Sequence, residues 1–368
     1  MIDDLRPAPT SCPTCAAPIG RDDAFCEACG STLAPSPPDG AVVADGPGVA
    51  APDGTAPRTH LLAPASPLGP GATICHVCGA AIDDDGFCSE CGQRARSRRE
   101  HWTESPAPWV GGVCDKGIAH AGNEDAMALY ADGSDFAVLV VCDGVTTAPD
   151  SDKASLAAAQ VACALLAAAA RPTGSFATRL TAWQHELGAA CAAANEEAVG
   201  IAHALGDPPE PPSCTFVAAV VTDDQVSVAW CGDSRAYWVA DDAARSTALS
   251  IDHSLGTEMI AAGLSREQAE ADPTCHTITR WLGADSIDPA PELRTMAREG
   301  PGWVLVVSDG MWNYASSTPA LAALIVAAEA DGASSPTAIA ESLAAYANNA
   351  GGHDNVTVAI ARCGAPLP

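Results

Sequence analysis

The chain has 368 residues, 46 of them Asp or Glu against 18 Lys or Arg, for a formal net charge of −28. That balance repels nucleic acid and anionic membrane surfaces, so a phosphate-bearing partner must be held by a few local cations or by bound metal. The length exceeds one ordinary domain, and 48% hydrophobic residues are enough for a sizeable core. The start, Met1 to Arg6, is acidic with no apolar stretch behind it, and the longest apolar run, Val161 to Ala170, falls short of the ~20 residues of a membrane helix. A cytoplasmic chain without membrane or nucleic-acid partners is expected.

Residues 11–33 form a first cysteine module, Cys12-Pro13-Thr14-Cys15, ten residues, then Cys26-Glu27-Ala28-Cys29. Residues 34–73 are a Pro/Ala/Gly-rich stretch that cannot bury a core and reads as a disordered linker. Residues 74–93 repeat the module as Cys75-His76-Val77-Cys78, nine residues, then Cys88-Ser89-Glu90-Cys91. Each module supplies four thiolates, enough for one tetrahedral Zn²⁺, and segments so small need a metal to hold together. The modules resemble zinc ribbons with two structural Zn²⁺ in all, and the acidic residues crowding them favour a protein partner over nucleic acid. The basic run Arg94 to Arg99 falls in a second linker, 94–108, and reads as a solvated segment or a docking segment for an acidic partner. The other eight cysteines of the 16 stand singly, mostly inside apolar runs, as small buried hydrophobes in a reducing compartment.

From residue 109 to 363 short β-type runs and Ala-rich helical stretches come in blocks. Strands are expected at Phe136–Cys142, Cys214–Thr222, Val226–Cys231, Trp303–Ser308 and Val356–Arg362. Helices are expected at Asp152–Ala170, capped from Asp150-Ser151-Asp152, and at Ala177–Leu205, Thr318–Ala330 and Pro336–Asn348. Blocks rather than strict alternation imply an α+β domain of antiparallel sheets covered by helices.

Two apolar strands run straight into Asp-Gly, at Asp143-Gly144 and Asp309-Gly310. A third leads to Gly232-Asp233-Ser234-Arg235, and a fourth is preceded by Gly352-His353-Asp354-Asn355. One Asp-Gly alone is a turn. Four acidic sites at the ends of core strands gather like charges that only cations can compensate, and all-oxygen donors suit Mg²⁺ or Mn²⁺. Two such ions side by side activate water against phosphorus.

The order of motifs, Asn123-Glu124-Asp125-Ala126, Val141-Cys142-Asp143-Gly144, Cys231-Gly232-Asp233-Ser234-Arg235, Asp252-His253-Ser254, Ile278 to Gly283, Ser308-Asp309-Gly310 and Asp354-Asn355-Val356-Thr357-Val358, resembles the PPM-type (type 2C) metal-dependent protein phosphatases over about residues 109–363. The resemblance implies a β-sandwich of two antiparallel sheets flanked by helices and hydrolysis of phosphoserine and phosphothreonine in proteins, the products of serine/threonine kinases. It implies that Asp143 bridges two core Mn²⁺ or Mg²⁺ ions, that Glu124 and the Gly144 carbonyl serve one, and that Asp309 and Asp354 serve the other. Asp125 supports Glu124 from behind, Asn355 orients Asp354, and Asp233 belongs to a third, weaker metal site. A metal-held water attacks phosphorus in line, without a covalent enzyme intermediate.

Two positions depart from the family pattern. His120 stands where an arginine usually grips phosphate, and it reads as a weaker phosphate contact or as a loop residue. Asn313 stands where a second aspartate often serves the third metal, and is a neutral ligand at best. These two departures are what would favour a different class of function, a metal-poor pseudophosphatase acting as a binding scaffold with the ribbons docking partners.

Overall fold

The computed structural model describes residues 74–364, apart from 76, 147, 266, 267 and 270. The first cysteine module (Cys12, Cys15, Cys26, Cys29) and the linker 34–73 lie outside them. The chain divides into two compact units at Ser97/Arg98.

The described part of the first unit is the second cysteine module. Isolated antiparallel bridges Ile74–Ala81, Ile82–Cys88 and Phe87–Arg94 fold it back on itself. Gly79 and Gly92, each just past the second Cys of a pair, have φ of 74° and 69°, and their N–H groups donate to the Cys75 and Cys88 carbonyls at 2.9 Å. Only glycine takes that left-handed turn without strain, and the turn swings both sulfurs of a pair to one side. Phe87, Ile74 and Val77 are 46%, 58% and 63% exposed, so among the described residues of the module most of the large apolar side chains stay in solvent.

The second unit opens with β1 (His101–Ala107), β2 (Val110–Asp115), β3 (Ala126–Asp132) and β4 (Phe136–Cys142). Helices α1 (Ser151–Ala168) and α2 (Phe176–Ala204) follow. Next come β5 (Ser213–Cys214), β6 (Phe216–Val221), β7 (Gln225–Cys231), β8 (Arg235–Ala240) and β9 (Thr247–Ala248). The strands end with β10 (Leu282–Gly283), β11 (Glu292–Ala297), β12 (Gly302–Val307) and β13 (Val356–Cys363). One large sheet runs β1-β2-β13-β12-β8-β9, the other β11-β7-β6-β4-β3, and β5 pairs with β10 in a separate two-stranded sheet, with every pairing antiparallel.

The apolar strands are continuous because both of their faces are covered. Along β4, Phe136, Val138, Val140 and Cys142 face α1 and α2, while Ala137, Leu139 and Val141 face the other sheet. Along β12, Val304 and Val306 join the inter-sheet core, and Trp303, Leu305 and Val307 pack under the helices Thr318–Ala330 and Pro336–Ala350. The result is four layers, helices, sheet, sheet, helices, held by three apolar clusters. Ala-rich α1 presents Ala154, Ala158, Ala159 and Ala162 to the sheet side, small residues that let it lie close.

The expected strands and helices form within a few residues of their expected ends, except that the strand expected at Cys214–Thr222 is broken at Thr215 into β5 and β6, which belong to different sheets. The stretch read as linker 94–108 contains β1, which pairs with β2; its polar sequence hid it because an edge strand needs only one covered face. The cap of α1 also differs. Asp150 is the capping residue, but in a left-handed conformation (φ 62°) with no side-chain capping bond; its carboxylate pairs instead with Lys153 Nζ at 2.7 Å. Among the described residues no helix is long and apolar enough to cross a membrane.

Candidate active site

The antiparallel registers bring the acidic motifs to one end of the sandwich. Ala126 pairs with Cys142, so Asp125 and Asp143 lie at the same edge of their sheet, and Phe216 pairs with Cys231 beside them. In the facing sheet Val307 pairs with both Arg235 and Val358, and Val356 with Asp115. Asp309, Asp233 and Asp354 therefore leave the second sheet at the edge where Glu124 and Asp143 leave the first.

Asp125 is fully buried, and its Oδ2 accepts hydrogen bonds from Ser308 Oγ and Thr357 Oγ1, both at 2.7 Å. It thus ties the root of β3 to β12 and β13 across the sandwich. Asn355 does the same for the loop before β3. Its Oδ1 accepts from the Glu124 N–H at 2.7 Å, and its Nδ2 donates to the carbonyls of Lys116 (2.7 Å) and Gly122 (3.0 Å). The Asn355 N–H in turn donates to Asp354 Oδ1 at 2.7 Å. Asp143 is pinned by Thr215, which accepts from the Asp143 N–H at 3.0 Å and donates its own N–H to the Asp143 carbonyl at 2.7 Å. Gly144 donates to the Glu124 carbonyl at 3.2 Å, and a Cβ on Gly144 would lie 2.7 Å from that carbonyl oxygen, so no other residue fits. A Cβ on Gly310 would meet the Asn355 carbonyl oxygen at 1.9 Å, which explains the second Asp-Gly on packing grounds.

Burial raises the carboxyls of Asp143, Asp233, Asp125, Asp309 and Glu124, and acidic neighbours add to the rise. Asp143 is pushed well above the usual range by desolvation, then by Asp125, Asp309, Asp354 and Asp233. Asp233 is raised well above it by desolvation, Asp309 and Asp252. Desolvation lifts Asp125 to about 7 and Asp309 to about 6, the Asp354 charge adding to both. Glu124 is raised by burial too, and its Oε2 is buried with no hydrogen-bond partner, as is Asp125 Oδ1. Converging carboxyls whose ionised form is costly without a compensating charge, together with a buried, unpartnered Glu124 oxygen, fit hard divalent cations. The carboxylates are spread more widely than one ion requires: among the described residues only the cysteine set puts three or more such ligand atoms within 4.8 Å of one another.

His120 is half-buried with Nε2 3.3 Å from Asp354 Oδ1, so it belongs to the cluster rather than to solvent. Asn313 is exposed and donates to Asp309 Oδ2 at 3.3 Å. Asp233 sits in the turn between β7 and β8, its carbonyl accepting from Trp312 Nε1 at 2.9 Å. Arg235 pairs in two bonds with Asp252 (2.7 and 2.5 Å) and lies 3.5 Å over the Trp312 ring. Arg280 is held by Asp288 at 3.0 Å. Ser308 stands in the Ser308-Asp309-Gly310 motif without a role read for it, and Thr215 and Ser155 stand in no motif. Ser308 adjoins the second Asp-Gly and could have been found there, whereas nothing local marks Thr215 or Ser155.

In the cysteine unit, Cys75, Cys78, Cys88 and Cys91 bring their sulfurs together, with Cys78 3.4 Å from Cys88 and 3.5 Å from Cys91, and Cys75 3.6 Å from Cys91. Backbone N–H groups lower the Cys75 thiol to about 6 and lower that of Cys88 as well. Cys78, hydrogen-bonded to the Cys88 and Cys91 sulfurs, is raised to about 12 and Cys91 is raised as well, so it is the spacing of the four sulfurs that fits a tetrahedral zinc ion.

A two-sheet, four-layer sandwich with acidic strand ends at one rim is the fold of metal-dependent protein phosphatases. The model of the protein phosphatase 2C family matches residues 119–344, more than half of the chain, and the chain belongs to that family. A double zinc ribbon model matches residues 12–92. The protein phosphatase PhpP of Streptococcus pneumoniae is 35% identical over 148 residues, covering 40% of this chain and 56% of that protein, so the match spans little more than half of that relative's length. The serine/threonine phosphatase stp of Listeria monocytogenes is 27% identical over 252 residues, 66% of this chain and 91% of that one. Among solved structures, the catalytic domain of the serine threonine protein phosphatase PstP, in complex with 2 manganese ions, is similar with a TM-score of 0.51 at 23% identity, covering 72% of this chain and 98% of that one.

Proposed function

We propose that the chain hydrolyses phosphoserine and phosphothreonine in proteins, acting on the products of a serine/threonine kinase in the cytoplasm, with its ribbons docking a protein partner. The observation that carries this reading is the convergence of Asp143, Asp309, Asp354 and Asp233 with the unpartnered Glu124 Oε2 at one rim of the sandwich. Asp143, Glu124 and the Gly144 carbonyl would hold one Mn²⁺ or Mg²⁺, Asp143, Asp309 and Asp354 the other, and Asp233 a third. Bound there, such ions supply a water of lowered pKa and positive charge opposite the phosphoryl oxygens. Asn355 and Asp125 keep the Glu124 loop and the strand ends in place. His120, beside Asp354, donates an N–H to a phosphoryl oxygen. Cys12, Cys15, Cys26 and Cys29 hold one Zn²⁺ in the first ribbon; Cys75, Cys78, Cys88 and Cys91 hold another.

The test is phosphate release from a phosphothreonine peptide by the full chain with and without Mn²⁺, beside Asp143→Asn and Asp309→Asn. Both variants should lose Mn²⁺-dependent release while keeping their circular dichroism. Full activity in either would overturn the two-metal reading, and a parent chain that binds the peptide without turnover would identify a pseudophosphatase.

A further inference from the structure

Arg99 closes the basic run 94–99, yet it is not a solvated linker residue. Its Nη2 donates to the Asp152 carbonyl at 3.0 Å and to Ser155 Oγ at 3.4 Å on the first turns of α1, and its guanidinium lies 5.0 Å from the centroid of Trp102. Its own carbonyl accepts from Asn123 Nδ2 at 3.0 Å. The carbonyl of the residue thus meets the loop that carries Glu124 directly, at Asn123, and the guanidinium reaches it through Ser155. Ser155 Oγ donates to the Glu124 carbonyl at 2.5 Å, and Asn123 Oδ1 accepts from the Asp125 N–H at 3.2 Å. A hydroxyl has one proton to give. With an Arg99 N–H donating to the Ser155 oxygen, the hydroxyl proton is left for the two carbonyls it faces, Glu124 at 2.5 Å and Asp152 at 3.2 Å, the closer being Glu124, and the loop is held from α1 as well as from Asn355 ahead of β13.

We propose that Arg99 is a positioning residue for the metal loop: through Ser155 and Asn123 it fixes the Glu124 backbone where its carboxylate can reach the cation. The inference rests on the reading of Glu124 as a metal ligand. It places the functional start of the phosphatase unit at the end of the basic run, ahead of β1, rather than at residue 109.

The experiment is Mn²⁺ binding by calorimetry on the full chain, with Arg99→Ala, Arg99→Lys, Ser155→Ala and the Arg99→Ala/Ser155→Ala double variant, beside the exposed neighbour Arg98→Ala. Loss of one charge-assisted hydrogen bond on the loop corresponds to about a tenfold weaker Mn²⁺ Kd in Arg99→Ala. Arg99→Lys keeps the charge and one donor and should recover part of the loss, and Arg98→Ala should match the parent. The double variant should be no weaker than the worse single one, because both act through one contact. In steady-state assays the half-saturating Mn²⁺ concentration should rise with the Kd while the KM for phosphopeptide stays within a factor of about two. A lowered melting temperature with an unchanged Mn²⁺ Kd would make Arg99 a purely structural residue and overturn the inference. A parent chain that takes up no Mn²⁺ would overturn the metal reading itself, and this inference with it.

Discussion

Asn355 is the most exacting single test of how the site is held. It is 2% exposed, and its amide makes three bonds to backbone groups of the 116–124 loop: from the Glu124 N–H, and to the Lys116 and Gly122 carbonyls. Asn355→Ala removes all three without supplying a substitute. At about 1 kcal/mol net for each hydrogen bond, the loss is about 3 kcal/mol, and more if water cannot reach the abandoned groups. Asn355→Asp keeps an acceptor for the Glu124 N–H but loses both donated bonds and adds a charge to a rim already crowded with carboxylates. In the absence of metal it should be less stable than Asn355→Ala, and millimolar Mn²⁺ should narrow the gap, since a cation compensates the added charge. Urea unfolding followed by tryptophan fluorescence, with and without Mn²⁺, measures both effects. A loss below about 1 kcal/mol in Asn355→Ala, or an Asn355→Asp variant as stable as the parent without metal, would refute the assignment of Asn355 as the anchor of the loop.

Glu104 on β1 predicts a pH dependence remote from the site. Burial pushes its carboxyl from the usual 4.5 to about 7, while Oε2 accepts from the Leu129 N–H at 2.8 Å and Oε1 has no partner. A carboxyl raised in the folded state binds its proton more tightly there than in the unfolded chain, so the protein loses stability as pH climbs from 4.5 through 7. The loss is at most about 3 kcal/mol. Glu104→Gln should therefore melt higher than the parent at pH 8 and level with it near pH 4; an equal difference at both would disprove this. For His120, the arginine variant should lower the KM for a phosphopeptide with a smaller change in kcat, and His120→Ala should raise it; three identical sets of constants would remove His120 from substrate binding. In the ribbons, the full chain purified reduced should carry two zinc ions, and Cys88→Ser/Cys91→Ser should carry one, leaving phosphate release from a small phosphoester intact. An unchanged zinc content would remove the second site.

Much of this architecture could be read along the chain. The long apolar runs Phe136–Cys142, Trp303–Ser308 and Val356–Arg362 have no polar face, so each had to be a strand covered on both sides, and the acidic residues at their ends had to share a rim. The spacing of Cys75, Cys78, Cys88 and Cys91 likewise announced a cysteine cluster, since two residues between thiols leave room for one tight turn that faces both sulfurs the same way. What the sequence does not contain is distance between segments remote along the chain. His120 reads equally well as a loop residue or a site residue until β13 brings Asp354 to 3.3 Å. The edge strand β1 has too little hydrophobicity to announce itself. Ser155, Thr215 and Arg99 carry no local signature, because what they do depends on backbone groups 31, 72 and 53 residues away that only the folded sandwich brings into hydrogen-bonding range.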